Sequence, residues 1–332
     1  MKLKSIMASL LLIALPFGGV RGELLTPENQ VICLRHIIEQ TNDTQQREAA
    51  LKLMASAGTY QALTFATSLL EDEDIAPAAA QAIWTIMSTH PEYNGKETRQ
   101  TLTAILPMLK GKDKKNAQAW LNSADKNAEG FVCLFNGKDL EGWKGLVEDP
   151  IKRGKMSSNE LAEAQKKADE LMKKDWIVEN GELVYIGNGW DNLCTVKQYG
   201  DFELLVDWRL DPNGKEPDAG IYLRGTPQVQ IWDLSRVNVG AQVGSGGLYN
   251  NQKNPSKPTC VADNKLGEWN TFYIKMVGDR VTVDLNGERV VNSVILENYW
   301  DRSQPIFPVE QLELQAHGSK VYYRDIYVKR LK

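Results

Sequence analysis

Hydrophobic positions change period along the chain, and the change falls near residue 125. From residue 24 to 125 apolar residues recur every three to four positions, the spacing of one helix face. Val31, Leu34, Ile37 and Ile38 follow Thr26-Pro27-Glu28, a helix start with Thr as N-cap and Pro at the first helical position. Ala49, Leu53 and Met54 mark a second helix, stopped by Gly58, and Leu63, Phe65, Ala66, Leu69 and Leu70 a third. Ala79, Ile83, Trp84 and Met87 mark a fourth ending before Pro91; Leu102, Ile105, Leu106 and Leu109 mark a fifth, and Ala117 to Leu121 a short sixth. Leu69 to Asp74, followed by the run 78–82, resembles the turn between helix pairs in HEAT-type repeats, which bury their faces by stacking. A plain helical bundle is an equal alternative, and no residue here carries catalytic chemistry.

Beyond residue 128 alternation at period two takes over. Leu204, Val206 and Trp208 face one way and Glu203, Leu205, Asp207 and Arg209 the other. Ile221 and Leu223 oppose Tyr222 and Arg224, and Val229 and Ile231 oppose Gln228, Gln230 and Trp232. Val281, Val283 and Leu285 lead into Asn286-Gly287, a hairpin turn of the primed type. Leu312 and Leu314 oppose Glu313, Gln315 and His317. Many short strands with Gly-rich turns predict a two-sheet sandwich. One helical insertion, Ser157 to Lys174, interrupts the early strands, and its charges are expected to face solvent.

Composition sharpens the division. Of 26 Gly, 20 follow residue 125, as do seven of nine Trp, so the 332 residues read as two domains of different class. The amino terminus reads as a secretory signal over residues 1–22: Lys2 and Lys4, an apolar run from Ile6 to Phe17, then Val20-Arg21-Gly22. That run is too short to span a bilayer. Export into the periplasm is therefore expected, with a helical domain over 23–125 and a sandwich over 126–332. Losing Lys2, Lys4 and Arg21 takes the net charge from −4 to −7. Neither value favours a nucleic-acid partner. Cys33, Cys133, Cys194 and Cys260 form no CxxC pair, which argues against structural zinc, and are expected as buried thiols.

The outward strand positions carry the candidate chemistry. Asp207, Arg209, Tyr222, Arg224, Gln228, Gln230, Trp232, Gln315 and His317 are amides, charged groups and rings, types that hydrogen-bond sugar hydroxyls and stack on pyranose faces. The segments Phe131 to Trp143, Asp201 to Arg209, Asp218 to Gly225, Gln228 to Asp233, Gly246 to Tyr249, Gly267 to Asn270, Leu285 to Gly287, Leu314 to Gly318 and Tyr323 to Ile326 stand in this order. On these segments the domain resembles the 3-keto-disaccharide hydrolase family over about residues 129–332. The resemblance implies an all-β concanavalin A-like lectin/glucanase jelly roll, beside the separate N-terminal α-helical, HEAT-like domain. Many members carry Glu where Gln228 stands, so a carboxylate role is not available there.

The activity that the resemblance implies is 1,2-elimination from 3-keto-glycosides and hydration of the product, a net hydrolysis. A ketone at C3 acidifies the C2 hydrogen, a base removes it, and the C1 substituent leaves. The enolate needs a positive group, hydrogen-bond donors or a divalent metal ion, and the leaving oxygen a general acid. His317 is the acid/base candidate because imidazole titrates near working pH. Arg224 is assigned to the oxyanion. Asp207 and Asp233 are assigned as acid/base groups or metal ligands, although a turn cap accounts for Asp233 equally well. Tyr222, Gln228, Gln230, Trp232 and Gln315 would position the sugar, with Trp190, Asp191 and Asn192 rimming the cleft. Trp143, Trp208 and Trp269 are expected in the core. A non-catalytic carbohydrate-binding module is one alternative. An ordinary glycosidase is the other, although the laminarinase-like Glu-x-Asp-x-x-Glu signature is absent.

Overall fold

A computed structural model describes residues 25–331. The expected secretory signal over residues 1–22 lies outside the described residues. The chain forms two compact units that divide between Val132 and Cys133.

The first unit holds helices α1 (Pro27–Gln40), α2 (Thr44–Ala57), α3 (Tyr60–Ser68), α4 (Ala76–Thr89), α5 (Lys96–Ile105) and α6 (Gly111–Ser123). Thr26 caps α1 by accepting from the Asn29 amide, and Gly58 ends α2 in the left-handed conformation. Leu51, Met54, Leu63, Ile83 and Ile86 are fully buried and make its core. His90 packs against Gly58 and stacks on Tyr93, a structural role.

The second unit is a two-sheet antiparallel sandwich. Its strands are β1 (Val132–Cys133), β2 (Trp143–Gly145), β3 (Trp176–Glu179), β4 (Glu182–Tyr185), β5 (Leu193–Thr195), β6 (Phe202–Leu210) and β7 (Asp218–Leu223). After these come β8 (Thr226–Trp232), β9 (Asn270–Val277), β10 (Arg280–Leu285), β11 (Glu288–Ile295), β12 (Glu313–Leu314) and β13 (Val321–Arg330). The larger sheet runs β11-β10-β9-β6-β13-β4-β3, with β1 off this path; the smaller runs β2-β5-β12-β7-β8. Alternate residues of both sheets fill one core: Phe202, Leu204, Val206 and Trp208 of β6 meet Ile221, Val229, Ile231 and Leu314 of the smaller sheet. This is the concanavalin A-like jelly-roll arrangement. Asn286-Gly287 makes the primed turn, with φ of 52° and 85°.

The insertion forms α7 (Pro150–Arg153) and α8 (Ser158–Asp175). Ser157 and Glu160 cap α8 reciprocally. Its charges do not all face solvent. Asp169 accepts from the Gly145 amide at 3.0 Å, and Gln165 donates to the Gly145 carbonyl at 2.8 Å. The helix thus satisfies polar groups that edge strand β2 would otherwise leave open. Cys33 and Cys194 are buried, but Cys133 is half-buried and Cys260 exposed, so the expectation of four buried thiols holds for two.

Candidate active site

The outer face of the smaller sheet gathers most of the candidate residues. Register puts Lys144, Cys194, Glu313 and Tyr222 side by side on β2, β5, β12 and β7. Gly220 lies opposite Gln230, and Asp218 opposite Trp232. Because Ile221, Val229, Ile231 and Leu314 point into the core, the alternate residues must point out. A Cβ at Gly220 would lie 2.9 Å from Gln228 Cδ and from Gln315 Oε1, so glycine keeps the space those two amides occupy.

Two hydrogen-bonded groups organise this face. In the first, Gln228 donates to Gln230 Oε1, and Gln230 Nε2 donates to Asp218 Oδ1 at 2.7 Å. Asp218 Oδ2 accepts from Arg236 Nη1 at 2.9 Å and lies 3.9 Å from His317 Nδ1. Burial raises the Asp218 carboxyl above the usual carboxylate range, while His317, Gln230 and Arg236 pull it back toward the ionised form. In the second, Asn192 hydrogen-bonds both Tyr222 and Glu313, and its Oδ1 accepts from the Ala316 amide at 3.0 Å. Burial pushes Glu313 up to about 8, against the pull of Arg153 and Asn192. A glutamate so placed stays largely protonated at neutral pH and can donate a proton. Cys194, next to it in register, is driven by burial up to about 12 and stays an inert thiol.

The extended segment that runs through β12 carries a row of polar atoms without partners. Gln311 Oε1, Glu313 Oε2, Gln315 Oε1 and His317 Nδ1 are all buried and lack a hydrogen bond. They fall at alternate positions, so all four share one face. Buried polar atoms are ordinarily paired, so this row is where the face keeps hydrogen-bonding capacity open. Exposed rings stand around it: Trp190, edge-on to His317 with centroids 5.1 Å apart; Tyr249, edge-on to the buried Trp232; and Tyr299, which lies close enough to Tyr222 to influence its hydroxyl. Asp191 takes part through its backbone, its carbonyl accepting from Trp176 Nε1 at 3.0 Å.

Three of the sequence assignments are corrected. Asp207 lies on β6 of the other sheet, where Oδ1 accepts from Thr271 Oγ1 at 2.6 Å and Oδ2 pairs with Arg324 Nε at 3.3 Å. Alternation placed it outward correctly, but not on which sheet. Arg224 occupies the β7–β8 turn with φ of 50°, so strand alternation does not apply to it. Its guanidinium is buried against the Gly200 carbonyl and Asp201 Oδ1, 2.8 and 2.6 Å away. Asp233 caps a turn, accepting from the Ser235 amide and hydroxyl. The carboxylates named as metal ligands are thus apart and engaged, and they do not fit a divalent ion. Among the described residues no group of three or more His, Cys, Asp or Glu is placed to hold one. Trp269 is also not core: it lies half-buried beneath the guanidinium groups of Arg324 and Arg209.

Sequence reasoning did not single out Glu313 or Asp218, which the structure brings to this face. Glu313 stood in plain view between Leu312 and Leu314, but only its burial separates it from a solvated glutamate. Asp218 opens β7, and nothing in its local sequence announces the Arg236 and His317 that meet it.

The chain belongs to the family described as 3-keto-alpha-glucoside-1,2-lyase-like domain, which matches residues 130–329, and so stands among carbohydrate hydrolases. It is similar to a 3-keto-disaccharide hydrolase from Bacteroides thetaiotaomicron, 23% identical over 257 residues, covering 62% of this chain and 80% of that protein. A solved Parabacteroides distasonis structure named as a glycosyl hydrolase is 24% identical, covering 61% of this chain and 95% of that one, with a TM-score of 0.45. The endo-beta-1,3(4)-glucanase SCLam of family GH16 is 14% identical, covering 58% and 86%, with a TM-score of 0.32.

Proposed function

We propose that the sandwich domain cleaves 3-keto-glycosides by elimination across C1–C2 and then hydrates the product. The observation that carries this reading is the row of unpartnered buried polar atoms with a base at one end and a neutral acid within it. His317 removes the C2 proton, which the C3 ketone has acidified; Asp218, 3.9 Å away, stabilises the imidazolium that forms. Charge developing on the C3 oxygen is met by side-chain amide donors of the face, Gln315 and Gln228. Glu313, held protonated by burial, gives its proton to the C1 oxygen as that bond breaks. Water then adds at C1, the proton returns to C2, and the sum is hydrolysis. Trp190 and Tyr249 supply apolar ring faces for the sugar.

The test is to incubate the protein with a glucoside and with its 3-keto derivative and follow release of the aglycone. Release from the keto substrate alone, with transient 2-hydroxy-glucal, supports the reading. Release from neither, with retained sugar binding, makes the domain a binding module; release from the plain glucoside makes it an ordinary glycosidase. The same reading places the enzyme in the periplasm. A mature chain starting at residue 23 in the periplasmic fraction supports that, and an intact chain in the cytoplasm overturns it.

A further inference from the structure

Two segments outside the strands stand along one side of the candidate face. The first, residues 247–256, closes on itself: a Cβ at Gly247 would lie 2.5 Å from the Ser256 carbonyl oxygen. The second, residues 297–305, follows β11. Glu297 joins them. Its Oε1 accepts from the Lys253 and Asn254 amides, both at 2.7 Å, and from Asn254 Nδ2 at 3.0 Å. Its Oε2 accepts from the Gln252 amide at 3.0 Å and from Arg302 Nη1 at 2.8 Å. Five donors thus converge on one carboxylate, three of them successive backbone amides that must find acceptors outside any sheet. Two neighbours complete the joint. Asn251 Oδ1 accepts from the Glu297 amide at 3.0 Å, and Arg302 Nη2 donates to the Asn250 carbonyl at 2.7 Å. Burial opposes the charged form of Glu297, yet the amides of Asn254, Gln252 and Lys253 outweigh it and bring the carboxyl down to about 2.

Each segment presents one exposed ring to the face. Tyr249, on the first, is edge-on to Trp232 with centroids 5.3 Å apart. Trp232 is the register partner of Asp218, which meets His317. Tyr299, two residues beyond Glu297, lies close enough to Tyr222 to influence its hydroxyl. Tyr222 is the register partner of Glu313. Trp300 ties this segment to the sheet by donating to the Gly225 carbonyl at 2.6 Å. Both rings therefore sit on loop backbone, one toward the base and one toward the acid, and Glu297 fixes that backbone between them. We infer that Glu297 is a positioning residue that sets Tyr249 and Tyr299 as one fixed apolar wall, along which the keto sugar is aligned with His317 and Glu313. Its part in the reaction rests on the cleavage reading above; the wall itself does not. A wall ordered before the sugar arrives lowers the entropy lost on binding. Glutamine cannot replace the carboxylate, because every partner is a donor and a carboxamide would turn its own N–H toward at least two of them.

The experiment first reads the wall without substrate. Fluorotyrosine is placed at position 249 or 299 of the full chain, and its fluorine NMR line is followed with and without Glu297→Gln. Each line should be single and narrow with Glu297 present, and broadened or split in the variant; an unchanged line at either position overturns the shared wall. Kinetics on a 3-keto-glucoside then reads the role. Glu297→Gln should raise KM about three- to tenfold, the cost of ordering a side chain on binding, with kcat held within about twofold. In a chain carrying Tyr249→Ala and Tyr299→Ala, the same substitution should add less than about twofold, because it acts through those rings. A full further rise there, or a fall confined to kcat, overturns the positioning role. If Glu297→Gln does not fold, Arg302→Met carries both measurements, since it leaves the carboxylate on its backbone amides; broader lines and a smaller rise in KM are expected, and no change in either overturns the proposal. If wild type cleaves nothing, the cleavage reading has failed, and the fluorine lines decide the wall.

Discussion

The two sheets turn polar residues outward at the same period, yet their outer faces differ in kind. On the larger sheet opposite charges meet: Asp207 with Arg324, Arg209 with Glu182 at 3.1 Å, Glu203 with Lys275 and Lys329, Asp284 with Arg289. Trp269 and Tyr322 close over the arginines. On the smaller sheet Gln311, Glu313, Gln315 and His317 each leave one buried atom without a hydrogen bond. Residue type does not separate these faces, since both hold carboxylates, cations and rings. Satisfaction separates them in degree: among the described residues Arg209 Nε is the outward atom of the larger sheet left without a partner, against the four atoms of the row on the smaller sheet.

Substitutions should therefore act in opposite ways on the two faces. The largest effect is expected from His317→Ala and Glu313→Gln. Each should lower kcat on a 3-keto-glycoside by about 10²- to 10⁴-fold, with circular dichroism unchanged; full activity in a folded His317→Ala protein removes it from the mechanism. Next comes Asp207→Ala, a loss of stability on the larger sheet. It breaks a buried ion pair and should destabilise by roughly 3 kcal/mol in urea, near the low end because Asp325 still faces Arg324 at 3.8 Å. Adding Arg324→Met should recover much of that loss, and the folded fraction should keep its activity.

Glu313 makes the contrast visible in pH. Its carboxyl is raised to about 8, so the folded chain holds a proton that the unfolded chain releases near the ordinary glutamate value. The stability this provides is complete below the unfolded value and is lost as pH rises through about 8. Melting curves from pH 5 to 9 should show a steeper decline in wild type than in Glu313→Gln, and kcat/KM should fall on the same alkaline limb. Parallel melting curves in the two proteins would place the Glu313 proton elsewhere.

The smallest effect on stability is expected from Gln315→Leu. It removes an unpartnered atom from the smaller sheet, so the unfolding free energy should hold within about 1 kcal/mol or rise, while kcat on the keto sugar falls with the lost oxyanion donor. A large loss of stability there would mean that the open row is structural after all.

Much of the architecture was legible before any coordinates. Period-four and period-two hydrophobicity separated the helical unit from the sandwich, and the alternation in β6, β7, β8 and β10 named the core residues correctly. Asn286-Gly287 announced its turn, and Thr26 its cap. The errors share one cause. Asp207, Arg224 and Asp233 were read from local period and residue type, whereas their roles are set by groups distant in sequence or by a turn: Arg324, 117 residues from Asp207; the Arg224-Gly225 hairpin; and the Ser235 cap. The insertion was read as a solvated helix because nothing local shows that Gly145 needs Asp169.

By itself the sequence determined which residues are apolar at which period, and thus the two structural classes, most of the core and the pool of amides and rings available to a sugar. Only the tertiary structure decided which outward residues share a sheet, which of them find partners, and that Glu313 is buried enough to keep its proton. Periodicity is a property of neighbours along the chain, carried by backbone geometry that every strand shares. Pairing, desolvation and the shape of a cavity depend on residues brought together from far apart, and no single segment contains that information.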